Sequence, residues 1–145
     1  MRLIIQRVLS SGVEVEGKEI SSIGKGLLVL VGISKDFSEN KVEWATRKIT
    51  NLRVWPSEEK GFDLSVKDIQ GEIMLVSQFT LHGDCSEGNK PNFRNSADFD
   101  KAKEAYEMLI ASLENEGVKV KTGKFGAMMN ISLVNDGPVT LILEK

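Results

Sequence analysis

The residues best equipped for chemistry stand together in the middle of the chain. Ser77-Gln78-Phe79-Thr80-Leu81 places two hydroxyls and an amide at the end of an otherwise apolar stretch. Such groups can hydrogen-bond a carbonyl, an amine or a ribose. An ordinary strand end with solvated hydroxyls has the same composition, and the residues alone leave both readings open. His82 and Cys85 follow closely. A Cys–His pair can form a thiolate nucleophile. These two lie in a loop with no third orienting group, so an exposed loop histidine and an incidental cysteine are expected. They are the chain's single histidine and single cysteine. No intramolecular disulfide is possible, a His/Cys zinc site lacks ligands, and a Ser-His-Asp triad would rest on His82 alone.

Other chemistry-bearing groups have simpler explanations. Asp98-Phe99-Asp100 looks like a carboxylate pair for a metal, but acidic residues also complement the dipole of a helix start. Gly24-Lys25-Gly26 lacks the rest of any nucleotide fingerprint. Lys119, Lys121 and Lys124 approach Phe125, and Lys90 and Arg94 flank Phe93. Basic residues among aromatics suit phosphates and stacked bases; a solvated strand face fits the same period of two. Asn135-Asp136-Gly137-Pro138 reads, by spacing alone, as a trans turn between two strands.

These residues need a scaffold, and the hydrophobic pattern supplies one. Val13 to Glu16 alternates, Gly17-Lys18 offers a reversal, and Ile20 to Ile23 pairs back. The run Leu27 to Val31 predicts a strand buried on both faces. Ser38 is placed to cap a helix carrying Val42, Ala45, Ile49 and Leu52. Val54-Trp55-Pro56 ends that unit in a short strand and a turn. Glu72 to Leu81 reads as a strand, and 82–98 as the one long irregular stretch. Ala102, Ala105, Tyr106, Leu109, Ile110 and Leu113 form one helical stripe, capped by Ser96 or Asp98 and ended by Gly117. Val118 to Lys121, Met128 to Val134 and Val139 to Leu143 complete about eight strands. Regular βαβ alternation is missing, so an antiparallel or mixed sheet assembly with two packed helices is expected rather than a Rossmann-type sheet.

Composition bounds the function classes. The 145 residues form a single expected domain, 1–145. With 41% hydrophobic and 28% charged residues, bulk disorder is not expected. Nineteen basic and 21 acidic side chains give a net charge of −2, so there is no global basic field for nucleic acid, although a local patch is allowed. No apolar run spans a bilayer, and the first residues turn polar too early for a signal peptide. A cytoplasmic protein without membrane partners is the expectation.

Several ordered motifs taken together carry a resemblance. Gln6-Arg7-Val8, Gly26-Leu27-Leu28-Val29-Leu30, Ser77-Gln78-Phe79-Thr80-Leu81, Thr122-Gly123-Lys124-Phe125-Gly126-Ala127-Met128-Met129 and Val134-Asn135-Asp136-Gly137-Pro138-Val139-Thr140 span nearly the whole chain. In this arrangement the sequence resembles the D-aminoacyl-tRNA deacylases, also called D-tyrosyl-tRNA deacylases. The resemblance implies an α+β fold with two largely antiparallel β-sheets in a barrel-like arrangement and two main helices. It implies hydrolysis of the ester between a D-amino acid and the terminal adenosine of tRNA, and removal of glycine from Gly-tRNA(Ala). It also implies a cytoplasmic homodimer in which a Gly-cisPro motif, here Gly137-Pro138, reaches the partner's active site; the trans expectation is thereby overruled. No cofactor or metal is implied.

By the same resemblance Ser77, Gln78 and Thr80 stand near the scissile ester. Backbone N–H groups around Phe79 and Thr80 are candidate oxyanion donors, and the ribose 2′-hydroxyl assists. Phe79, Phe125 and Met129 would hold the adenine, and Arg7 would fix the Gly-Pro segment through carbonyl hydrogen bonds. Rigid Gly137-Pro138 would exclude an L side chain, because a wall rejects more strongly than pocket fit does. Lys90 and Asn92 stand where relatives commonly carry Arg and Ser, so that loop receives no catalytic part. His82 replaces a small residue. The rival readings are a non-catalytic binder of RNA ends, a small-molecule esterase and a purely structural homodimer.

Overall fold

A computed structural model describes residues 1–145. Its backbone is organised by two long strands, β1 (Arg2–Val15) and β6 (Asn130–Glu144). They run antiparallel from Arg2 opposite Glu144 to Glu14 opposite Asn130. The other edge of β1 is shared. Its first half pairs with β3 (Gly26–Gly32) and its second half with β2 (Lys18–Ile23). The reversal into β2 centres on Glu16 and Gly17, both at positive φ, one residue earlier than the sequence suggested.

Beyond β3 the pairing turns parallel. Strand β4 (Glu72–Ser77) runs parallel to β3, and β5 (Lys119–Thr122) runs parallel to β4. Parallel neighbours need crossovers, and the two helices supply them: α1 (Glu39–Asn51) joins β3 to β4, and α2 (Phe99–Asn115) joins β4 to β5. Two βαβ-like units therefore exist, contrary to the sequence reading. The long stretches 52–71 and 78–98 hid them by stretching the alternation. Successive crossovers of one hand put both helices on the same face.

The central strands are buried on both sides, as the apolar run of β3 required. Leu27, Val29, Val31, Ile73 and Leu75 pack with helix residues Ala45, Ile49, Ala105 and Leu109. Leu28, Met74 and Val76 point the other way and meet Val8, Val13 and Ile23. This second core forms because β2 curls over β4 and β5. The Ser21 hydroxyl donates to the Thr122 carbonyl at 2.7 Å, and the Gly24 N–H donates to Glu72 Oε2 at 3.0 Å. The result is a nearly closed, barrel-like mixed sheet with two helices on one side.

The helix ends differ in detail from expectation. Ser38 and Asp98 occupy the N-cap positions, but neither side chain makes a capping hydrogen bond. Gly117, at φ +79, does end α2. Trp55 pairs with Leu64 only as an isolated bridge. The six strands are fewer than the eight expected, chiefly because β6 continues through 135–138 as one strand. No helix is long and apolar enough to cross a membrane.

Candidate active site

Strand β4 stops at Ser77 instead of continuing to Leu81. The Gln78 N–H still donates to the Val31 carbonyl at 2.8 Å, and then Phe79–His82 coil into a single 3₁₀ turn. Gly32 makes the turn possible. A Cβ there would lie 3.0 Å from Leu81 Cβ and 3.2 Å from the Gln78 carbonyl oxygen, so a larger residue would push the turn off β3. From the far side, Arg2 Nη1 donates to the Leu81 carbonyl at 2.5 Å, and Glu144 holds Arg2 at 3.0 Å.

This turn forms one wall of a cleft of about 880 Å³. Ser77, Gln78, Phe79 and Thr80 line it, with Phe125 and Met129 also in the lining. Six of the nine residues singled out from the sequence are thus brought together. Phe79 is half exposed and meets Phe93 edge-on, with ring centroids 5.0 Å apart. Phe125 lies between Phe99 at 5.1 Å and Tyr106 at 5.5 Å. The Tyr106 hydroxyl, buried and held neutral by desolvation, donates to the Leu75 carbonyl at 2.7 Å. The hollow is therefore largely apolar and aromatic, with a few polar groups along one edge, as ligand sites commonly are.

The polar edge has a distinct chemical character. The Gln78 side-chain amide donates to Thr80 Oγ1. The backbone N–H groups of Phe79 and Thr80, at the start of the turn, have no backbone acceptor. Lys35 and Asp98 are the ionisable side chains of the lining, and it holds no histidine. The cleft can thus offer hydrogen-bond donors to a carbonyl oxygen, but it gives the Thr80 hydroxyl no neighbouring base.

Arg7, Gly137 and Pro138 lie elsewhere in the chain. Gln6 pairs with Thr140 and Val8 with Asn135, so Arg7 alone stands opposite residues 136–139. The Gly137–Pro138 peptide in this bulge is cis. Arg7 reaches the bulge through Asp136 and not through the Gly-Pro carbonyls. Its Nε lies 3.0 Å from Asp136 Oδ2, although the N–H does not point at the carboxylate and makes no hydrogen bond. Its Nη1 donates to the Val54 carbonyl. The Asn135 amide donates to the carbonyls of Arg7 and Val139 at 2.8 and 3.0 Å, which pins the bulge at both ends.

The remaining candidates sort simply. Cys85 is exposed. His82 is not an exposed loop residue: it is buried beneath the turn, and its Nε2 has no partner. Burial lowers its pKa below the ordinary value of 6.5. Lys119 and Lys121 alternate outward against half-buried Val120 and Thr122, which is the solvated strand face. Lys35, Phe93, Asp98 and Phe99 belong to the cleft as well. The sequence carried no periodic signal for them, because they sit at the ends of irregular stretches.

Fold and cleft together define a barrel-like α/β protein with an aromatic hollow floored by a strand-to-turn junction. Comparison with known proteins gives the family. Residues 4–144 match the family model described as D-Tyr-tRNA(Tyr) deacylase. The chain is 49% identical to the D-aminoacyl-tRNA deacylase of Rippkaea orientalis over the full length of both, and 49% identical to that of Thermotoga petrophila over 100% of this chain and 97% of the relative. A solved structure titled c-Myc DNA Unwinding Element Binding Protein superposes with a TM-score of 0.94 at 42% identity, covering 100% of this chain and 99% of that one. A probable eukaryotic D-amino acid tRNA deacylase shares the fold, with a TM-score of 0.84 at 17% identity over 98% of this chain and 97% of that one. The chain belongs to the D-Tyr-tRNA(Tyr) deacylase family. It is a hydrolase, a D-aminoacyl-tRNA deacylase.

Proposed function

We propose that the cleft holds the 3′-terminal aminoacyl-adenosine of tRNA and that its ester is hydrolysed there without a protein nucleophile. The observation that carries this reading is the polar edge, with two unused backbone N–H groups and no base beside Thr80. Water adds to the ester carbonyl, and the oxyanion is met by the N–H groups of Phe79 and Thr80. The C–O bond to the ribose then breaks. The proton lost by water ends on the leaving 3′-oxygen, assisted by the neighbouring 2′-hydroxyl. One such oxyanion donor is worth about 10²–10³ in rate, ample for an already activated ester. Ser77, Gln78 and Thr80 position the reacting groups. Phe79, Phe125 and Met129 receive the adenine by stacking and soft apolar contact.

Chirality is read by Gly137 and Pro138, steadied by Arg7. They lie outside the cleft of their own chain, so on this reading a second copy supplies them. Support comes from β6, which pairs only with β1 and leaves its other edge open. Leu133, Val134, Leu141 and Ile142 are exposed along it. An open edge with apolar side chains invites pairing. The homodimer so formed excludes L side chains and admits D-amino acids and glycine, including glycine on tRNA(Ala), and works in the cytoplasm. The DNA binding named for the structural relative is not carried over, because the net charge of −2 provides no basic field for a duplex.

Purified protein should deacylate D-Tyr-tRNA and Gly-tRNA(Ala) rapidly in EDTA and leave L-Tyr-tRNA intact. Equal loss of D and L esters would remove the chiral reading. Binding of the RNA end without turnover would overturn the hydrolytic assignment of the cleft.

A further inference from the structure

A second hollow of about 550 Å³ lies behind the same wall. Phe79 and Thr80 of the 3₁₀ turn face the cleft, while His82 and the following Gly83 face this recess. The segment 33–35 divides the two hollows in the same way. Ser34 is bridged to Ser96, and the Lys35 N–H donates to the Asn95 carbonyl at 3.0 Å. Ser96 lines the cleft, whereas Ser34 and Asn95 line the recess. Lys35 lines both.

The recess differs from the cleft in character. Its lining is almost entirely polar, with Ser34, His82, Asp84 and Asn95 among it. Among its other charged groups, Arg2 is paired with Glu144 and Asp36 with Lys41 at 2.6 Å, and the Met1 ammonium donates to the Ser34 hydroxyl and the Lys145 carbonyl, while Asp84 and the Lys145 side chain are unpaired. Lys35 takes part in no ion pair. A free ammonium on the ridge between an aromatic hollow and a polar one suits a single anion that links an occupant of each. His82 adds an independent sign of a missing partner, because its ring is more than nine-tenths buried and its Nε2 is unpaired in the recess wall. A buried polar atom without a partner calls for a ligand or water to meet it.

We propose that this recess holds the nucleotide preceding the terminal adenosine, and that Lys35 binds the phosphodiester between the two. The inference rests on the reading of the cleft as the terminal adenosine site. Every tRNA ends in cytidine-cytidine-adenosine, so the occupant is a cytidine. Its amino group and ring acceptors match a lining that holds the Asp84 carboxylate, the Asn95 amide and the His82 ring nitrogen. Phosphate binding sets the register of the RNA end, and the recess adds a check that the penultimate residue is present. A free amino-acid ester or a lone adenosine ester lacks both contacts. The split also explains how a chain of net charge −2 can hold an RNA end: it needs one well-placed cation and no basic surface.

Three probes separate the contributions, each titrated calorimetrically into the intact protein: adenosine, the methyl ester of adenosine 5′-phosphate, and cytidylyl-(3′→5′)-adenosine. Affinity should rise by roughly three- to tenfold at each step, the yield of one added hydrogen-bonded group. For the two phosphate-bearing probes, log affinity should fall with log salt at a slope of about 0.7, and adenosine should be insensitive. Lys35→Met should abolish the phosphate gain and the salt slope, each taken relative to adenosine binding by the same variant. Asn95→Ala, an exposed change that the fold tolerates, and His82→Phe should erode only the cytidine gain. Equal affinity for all three probes would overturn the proposal while leaving the cleft assignment standing. So would a phosphate gain that survives Lys35→Met, or a cytidine gain that survives both other variants. Failure of adenosine itself to bind would overturn the cleft assignment and this inference with it.

Discussion

Thr80 offers the sharpest test of how the ester is cleaved. Its Oγ1 makes one hydrogen bond, accepted from the Gln78 amide, and has no base beside it. If the hydroxyl only positions groups, Thr80→Ala removes one hydrogen bond, about 0.5–1.5 kcal/mol or roughly a 2- to 12-fold loss of rate. If it attacks, the loss should approach about 10⁶, the scale seen when a covalent nucleophile is deleted. The assay is single-turnover release of labelled D-tyrosine from D-Tyr-tRNA, so that chemistry and not product release sets the rate. A companion pair isolates the N–H of Phe79. Phe79→Ala removes the ring alone, whereas Phe79→Pro removes the ring and the donor. Proline is tolerated at the first position of a turn, and Gln78 before it, at φ −143 and ψ 82, is already outside the helical region that proline disfavours. The proline variant should be slower than the alanine variant by about 10²–10³, the worth of one oxyanion donor. A Thr80→Ala loss beyond about 10⁴, or a trapped Thr80 acyl-enzyme, would refute this mechanism. So would equal rates for Phe79→Pro and Phe79→Ala, as far as that donor is concerned.

A Cβ at residue 137 would lie 2.9 Å from Arg7 Nη2 and 3.0 Å from Val139 Cγ2, at a φ of +115. Gly137→Ala should therefore loosen rejection of L-Tyr-tRNA before it slows D-Tyr-tRNA hydrolysis. If a second copy supplies the motif, letting Gly137→Ala chains exchange with an equal amount of Gln78→Ala chains should lower L-Tyr-tRNA hydrolysis toward about half, since about half of the Gly137→Ala clefts then face an intact motif; an unchanged rate would place the motif's action within one chain. Tyr106→Phe should cost about 1 kcal/mol in urea unfolding and little activity, because the Leu75 carbonyl keeps the Gly123 N–H at 3.2 Å as a donor. His82 is held neutral by burial, so the unfolded chain binds its proton more readily as pH falls below 6.5. Stability should then fall as pH drops through 6.5, and the fall should flatten in His82→Gln; a parallel fall in both proteins would mean that other groups titrate.

Period and propensity made the helices legible. The α2 stripe and its Gly117 stop follow from residue spacing alone, and the run Leu27 to Val31 gave its two-sided burial away. The missed elements have one physical cause: tertiary contacts replaced local preference. Residues 78–82 are β-prone in isolation, but Gly32 leaves room for them to coil against β3. Residues 135–138 carry turn chemistry, yet β6 passes through them because Asn135 and Arg7 hold the bulge to β1. His82 looks solvated in sequence because nothing local reveals that β1 and β6 close over it. The cleft residues Ser77 to Thr80, Phe125 and Met129 were legible only as a set of motifs. No periodicity joins residue 79 to residue 125; the parallel pairing of β4 with β5 does that.

The same strand holds both halves of the proposed site. Arg2 fixes the 3₁₀ turn through the Leu81 carbonyl, and Arg7 holds the bulge through Asp136. Pairing of β1 with β3 is regular from Arg2 to Val8, so side chains alternate faces without interruption there. Positions 2 and 7 differ by an odd number and must point to opposite faces. Arg7 shares its face with Leu3 and Ile5, which belong to the core under the helices. The turn and the bulge are therefore registered from opposite sides of one strand, and a single chain does not turn both toward the same hollow. A copy related by two-fold symmetry presents the opposite side, which is how an isologous interface brings a distant patch into a site. On this reading chirality is judged by a rigid backbone segment whose position depends on the β1–β6 register, with no flexible side chain in the decision. A wall must hold its place to about half an ångström to tell a hydrogen from a side chain. A long antiparallel ladder, pinned at Arg7 and closed at Glu144, is the part of this fold stiff enough to provide that.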